Sequence, residues 1–213
     1  MAGLAGLAAA GPAAAALPAS VPPSGEMRFK VLRNNAPIGE HHMVFTRRGD
    51  DLNVAINADF LVRVAGIPVF RYQAAATESW SGGAFTELES KVNHNGKLFS
   101  VRASRIAGGY AVQSTKTGNY QYTGVPSLLP LTYWNKQLLT AMLLNVETGQ
   151  HYPAISQSPG WNHVPTADGG TILAQRFDLT GRLHLSLWYD QQDQWAGMAF
   201  HINGEERYLK YTS

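Results

Sequence analysis

The side chains that could do chemistry in this chain are few, and the most promising fall close together near the C-terminus. Arg182, His184, Trp188, Trp195, His201, Glu206 and Tyr208 lie within one stretch of alternating apolar and polar residues. If Gln191-Gln192 is the turn between two strands, Asp190 pairs with Asp193. Leu183, Leu185, Leu187 and Tyr189 then face Phe200, Met198, Ala196 and Gln194. A slip of one residue would mix apolar and polar faces, so the pattern favours this register. On the opposite face Trp188 meets Trp195, His184 and His201 are diagonal neighbours, and Arg182 lies opposite His201. A second turn at Asn203-Gly204 would bring Glu206 opposite His201 and Tyr208 near Ala199, with Phe200 meeting Arg207 and Met198 meeting Leu209. An aromatic-rich face with a few polar groups suits a ligand pocket. A Glu–His–Arg cluster also suits acid–base work. On a solvated face the same residues would be only a weak surface ladder.

Other chemistry finds less support. His41 and His42 are adjacent, so on a strand they point to opposite faces and cannot ligate one ion; one should be solvent-facing and the other half-buried. With no Cys, disulfides, zinc–thiolate sites and Cys nucleophiles are excluded, and no metal or other cofactor is expected. No G-x-S-x-G elbow surrounds Ser156, Ser158 or Ser186. Gly108-Gly109 and Asp168-Gly169-Gly170 do not open a helix after a strand, so they are loop glycines and not phosphate cradles. Trp80, Trp134, Trp161, Trp188 and Trp195 could stack on sugar rings if they formed an exposed platform. A net charge of +2 over 213 residues gives no reason to expect a nucleic-acid partner.

The elements that must position these residues are strands. Leu52, Val54, Ile56, Ala58 and Phe60 share one parity, as a half-buried strand requires. Comparable runs cover Met27–Leu32, Ile38–Arg47, Val69–Trp80, Phe85–Val92, Leu98–Ile106 and Tyr110–Thr117. They are separated by turn signals such as Asn34-Asn35, Gly49-Asp50, Ala65-Gly66 and Asn95-Gly96. Within Pro130–Val146, the spacing of Leu138, Leu139, Met142 and Leu143 predicts one short amphipathic helix, capped by Thr132 and serving as a lid or plug. The Pro- and Gly-rich residues 157–170 read as an exposed loop. Residues 25–213 are therefore expected to form a single mostly all-β domain. Its curved antiparallel sheet of about ten to twelve strands should close into a barrel or half-barrel.

Residues 1–24 differ from the rest. The first charged residue is Glu26, and the run before it is Ala-, Gly- and Leu-rich with small residues ahead of Ser20. This composition is signal-peptide-like, with a disordered Ala/Pro tail as the alternative. GLAGLAAAG resembles the apolar part of a twin-arginine leader, which implies a start upstream of Met1. Its Gly and Pro make it a poor membrane span.

The stretches ESWSGGAFTELESKVNHNGKLFSVRAS, LPLTYWNKQLLTAMLLNVETGQ and RFDLTGRLHLSLWYDQQDQWAGMAFHINGEERYLKY resemble an uncharacterised family of exported bacterial proteins, a domain of unknown function. The resemblance spans about residues 26–212. It implies an antiparallel β-rich fold and a periplasmic or extracellular location, and it brings no catalytic residues. The combined expectation is a non-enzymatic exported protein that binds a small or lipid-like ligand or a cell-envelope partner. The alternatives are an envelope hydrolase using His184, His201 and Glu206, and a carbohydrate-binding module.

Overall fold

In a computed structural model that describes residues 18–125, 127–202 and 204–212, the chain is almost entirely strand. Eight strands come first: β1 (Glu26–Arg33), β2 (Ala36–Arg48), β3 (Asp51–Val64), β4 (Ile67–Ser81), β5 (Ala84–His94), β6 (Lys97–Ile106), β7 (Gly109–Ser114) and β8 (Gly118–Tyr122). Three short strands follow, β9 (Leu128–Pro130), β10 (Met142–Leu144) and β11 (His151–Pro153). Five more end the chain: β12 (Ser156–Pro165), β13 (Thr171–Leu179), β14 (Leu185–Asp190), β15 (Trp195–His201) and β16 (Glu205–Lys210).

Thirteen of these form one antiparallel sheet in the order β12-β13-β14-β15-β16-β1-β2-β3-β4-β5-β6-β7-β8. The two meanders are zipped together where β1 pairs with β16, with Phe29 opposite Lys210 and Val31 opposite Tyr208. β12 and β8 remain free edges, so the sheet is an open half-barrel. Alternation explains the core. Leu52, Val54, Ile56, Ala58 and Phe60 are all buried on the concave face, the parity expected of a strand with one wet side.

The segment between β8 and β12 crosses from one free edge to the other and fills much of the interior. Leu128, Trp134, Leu138, Leu143 and Leu144 are buried there. Trp134 packs edge-on against Phe45 and Trp80, both with ring centroids at 5.3 Å. The expected amphipathic helix is instead a 3₁₀ turn, Lys136–Thr140, capped by Asn135, whose Oδ1 accepts the Gln137 N–H. β10 then pairs with both β9 and β11 in a small three-stranded sheet. The helical spacing misleads because this plug is apolar on more than one side, so buried residues recur without a true 3.6-residue period.

Two further expectations are corrected. Residues 157–170 are mostly β12 rather than a loop. Its prolines and the bulge between Gln157 and Gly160 are tolerated because it is an edge strand. The C-terminal registers also differ from the expected pairing. Asp190 accepts from Gln192 N and Gln194 N through its side chain and pairs with Gln194 across a three-residue loop, with Asp193 at φ 58°. Leu185 therefore lies opposite Phe200 and Leu187 opposite Met198. A bulge between Trp188 and Tyr189 brings Tyr189 opposite Trp195. After β15, His201 pairs with Glu205, so Phe200 meets Glu206 instead of Arg207 and Met198 meets Tyr208 instead of Leu209.

The leader-like residues 1–17 lie outside the described residues. Residues 18–24 pack against the plug, where buried Ser20 accepts the Lys136 N–H at 3.1 Å.

Candidate functional site

The concave side of the half-barrel is not completely filled. At the end carrying the β1–β2, β3–β4 and β15–β16 turns, a cavity of about 1390 Å³ opens to solvent. That exceeds the roughly 300–1,000 Å³ of pockets for drug-sized ligands. Its walls include inward residues of β1–β5 and β14–β16, among them Ile56, Phe60, Ala74, Met198 and Phe200. These are the same-parity positions that the alternation places inside, here left uncovered by the plug. Tyr72 stacks on Phe60 with centroids 5.6 Å apart, and Tyr208 meets Phe60 edge-on at 5.9 Å.

The floor holds two buried polar side chains. His41 is 6% exposed and packed among Trp195, Tyr208 and Phe29, at 5.6, 5.8 and 6.4 Å between centroids. Neither ring nitrogen finds a hydrogen-bond partner among the described residues, and the Ser90 hydroxyl is likewise unpaired. Burial, with a smaller contribution from His42, lowers the His41 pKa to about 4, so the ring is neutral at physiological pH. His41 is thus fully inside rather than half-buried, whereas His42 faces solvent and meets Glu26 at 3.1 Å.

The rim is charged. Glu206 and Arg33 approach at 3.6 Å, and burial raises the Glu206 pKa against the opposing pull of Arg33. His94 meets Glu147 at 3.0 Å, tying β5 to the plug. Arg182 donates to Gln150 Oε1 at 3.5 Å.

Five of the seven residues singled out from sequence therefore line this cavity: Arg182, His184, His201, Glu206 and Tyr208. They arrive by a different route from the one expected. Arg182 and His184 lie in the turn before β14, His201 is exposed opposite Glu205, and only Glu206 and Tyr208 point inward from β16. The other two do not join them. Trp195 is fully buried beneath the floor, tilted against Phe29 with ring centroids 4.0 Å apart, because the β14–β15 bulge turns it to the core face. Trp188 faces the convex side, where its indole N–H donates to Asn162 Oδ1 at 2.9 Å and Arg176 lies over its ring. The Trp188–Trp195 pair is therefore absent. Trp80 and Trp134 are also buried, so the five indoles form no exposed stacking platform.

Sequence reasoning missed a second internal polar centre. Glu78 is fully buried and accepts three hydrogen bonds: from Thr132 Oγ1 at 2.5 Å, Trp80 Nε1 at 2.9 Å and Trp134 Nε1 at 3.0 Å. Burial raises its pKa to about 7, and the three donors limit the rise. The available signal was its parity, since Glu78 shares the inward side of β4 with Ala76 and Trp80. Among the described residues, no group of three or more His, Asp or Glu is placed to hold a metal ion. Among the described residues, no helix is long and apolar enough to cross a membrane.

The domain of unknown function DUF6134 matches residues 29–212. The chain belongs to that family. No curated protein is detectably similar in sequence. Among solved structures, this DUF6134 member is similar to a beta-barrel-like protein of the domain of unknown function DUF1849 from Brucella abortus. The TM-score is 0.61 and the identity 8%, over 87% of this chain and 94% of that one. At that identity the likeness extends to the fold alone.

Proposed function

We propose that this protein is an exported, non-enzymatic binding protein whose half-barrel holds an amphipathic, lipid-like ligand. The observation that carries this reading is the cavity of about 1390 Å³, apolar along its walls and charged only at its rim. Such a gradient suits a ligand whose acyl or ring body lies against Phe60, Ala74 and Phe200. Its anionic head would stay beside Arg33, Arg182, His184 and His201. A neutral His41 and the Ser90 hydroxyl would offer hydrogen bonds to a polar group carried deeper along the body. Export is supported by the composition of the leader, and N-terminal sequencing of native protein tests it: a chain still carrying Ala2 contradicts export by cleavage.

Binding itself is tested in two ways. Organic extraction of protein purified without detergent, followed by mass spectrometry, should recover an apolar ligand. Titration with the apolar fluorophore N-phenyl-1-naphthylamine should give saturable enhancement at one site per chain. Failure of both contradicts the reading and leaves an envelope-partner role. Hydrolysis through His184, His201 and Glu206 is less well supported, since Glu206 pairs with Arg33 instead of with either histidine.

A further inference from the structure

The β3–β4 hairpin outruns its neighbours. β2 stops pairing with β3 at Phe60, and β5 stops pairing with β4 at Tyr72. Residues 61–71 beyond those points form a two-stranded ribbon standing at the mouth of the cavity. Its turn, Ala65-Gly66, has φ of 49° and 81°, the paired positive values of a type I′ hairpin. Arg63 Nη1 braces the tip by donating to Gly66 O at 3.0 Å. At the base, Asn95 N donates to Arg71 O at 2.7 Å.

A free ribbon in water is normally blunted by charge. This one instead presents Val64, Ile67 and Val69 at 61%, 66% and 50% exposure. Ile202, in the β15–β16 turn, adds a fourth apolar side chain at the same mouth, 64% exposed. Branched apolar side chains gathered around the opening of an apolar cavity differ from the scattered apolar exposure of an ordinary surface.

The ribbon itself, residues 61–71, carries Arg63 and Arg71 and no carboxylate, and Arg71 pairs with Asp59 at 2.7 Å. The rim carboxylates Glu206 and Glu147 are engaged by Arg33 and His94. Arg63 and Arg182 donate only to neutral oxygens, and no carboxylate pairs with either among the described residues. Arg63, unpaired within the apolar ribbon, and Arg182, on the rim of the same cavity, match the chemistry of an anionic bilayer surface. Apolar side chains enter the acyl boundary while the guanidinium groups meet lipid phosphates.

We propose that the 61–71 ribbon and the Ile202 turn dock the cavity mouth onto an anionic lipid surface. This contact does not require a loaded cavity. A passage of ligand between bilayer and cavity does rest on the binding role proposed above.

The test is flotation of the purified protein with vesicles of phosphatidylglycerol and phosphatidylcholine, against vesicles of phosphatidylcholine alone. Wild type should float with the anionic vesicles and lose that association as salt is raised and the Debye length shrinks from about 10 Å to about 3 Å. Ile67→Glu should weaken flotation at least about tenfold, because it places a carboxylate at the acyl boundary. It should leave N-phenyl-1-naphthylamine binding intact, since Ile67 does not line the cavity. Arg63→Gln should weaken flotation and flatten its salt dependence. Absence of wild-type flotation, or equal flotation of Ile67→Glu, overturns the docking proposal. A concentration-dependent dimer of wild type that Ile67→Glu abolishes would overturn it in favour of a second copy of the chain. Loss of fluorophore binding with flotation intact would refute the binding role and leave the docking surface standing.

Discussion

Trp134 donates its indole N–H to the Glu78 carboxylate at 3.0 Å, joining the plug to β4 across 56 residues of chain. Thr132, two residues earlier, donates to the other oxygen of the same carboxylate. One buried acid thus anchors the segment that fills the half-barrel and bounds the cavity. Glu78→Ala should cost several kcal/mol, because it orphans three buried donors at about 1–3 kcal/mol each. Glu78→Gln should fold and lose much less, since the Thr132 hydroxyl can rotate to accept from the new amide. Urea melts of the two variants check this, and equal stabilities would contradict the anchoring role.

Glu78 and His41 make opposite contributions to the pH dependence of stability. The Glu78 pKa is raised from 4.5 to about 7 in the folded protein. The native state therefore binds more protons than the unfolded chain between those values, and stability from this group falls as pH rises through 7. The His41 pKa is lowered from 6.5 to about 4. Here the unfolded chain binds more protons, so stability from this group is present above 6.5 and lost as pH falls toward 4. Each displacement corresponds to about 3 kcal/mol at about 1.4 kcal/mol per pH unit. In wild type the two slopes offset between 4.5 and 6.5. Glu78→Gln should expose a stability that rises with pH in that window, and His41→Leu one that falls. Denaturant midpoints taken at intervals from pH 4.5 to 7 read both slopes. Parallel profiles in wild type and both variants would contradict the burial of these groups.

Leu187→Asp should prevent stable folding, since Leu187 is fully buried opposite Met198 and the substitution would place an unpaired charge in the core. His184→Ala, at the exposed rim, should change stability by no more than about 0.5 kcal/mol. Thermal melts distinguish the two, and a well-folded Leu187→Asp would contradict the core assignment.

The sheet was legible because one-sided burial writes itself into parity, as at Leu52–Phe60. Strand pairing was less legible where loop length depends on a single side chain. Asp190 hydrogen-bonds two backbone N–H groups and so closes a three-residue loop where Gln191-Gln192 suggested two. That difference, with the adjoining bulge, moves Trp195 from the outer face into the core. Arg182, His184, His201, Glu206 and Tyr208 were recognisable as polar and aromatic neighbours in one meander. The rest of the cavity was not. Phe60 and Ala74 come from strands more than a hundred residues away, and their inward positions have the same pattern whether the interior is filled or hollow. Glu78 escaped notice because its partners Thr132 and Trp134 lie on a plug whose path the sequence does not encode locally.

The central claim is that the half-barrel holds a ligand in its cavity, and filling that cavity tests it most directly. Ala74 lines the wall from β4 and is half-buried, so Ala74→Phe should occupy ligand space without exposing new apolar core. Isothermal or fluorescence titration with N-phenyl-1-naphthylamine should show saturable binding by wild type and at least about tenfold weaker binding by Ala74→Phe, a loss of about 1.4 kcal/mol, with the melting temperature little changed. Equal affinity in the two proteins, or no saturable binding by wild type, would contradict the account.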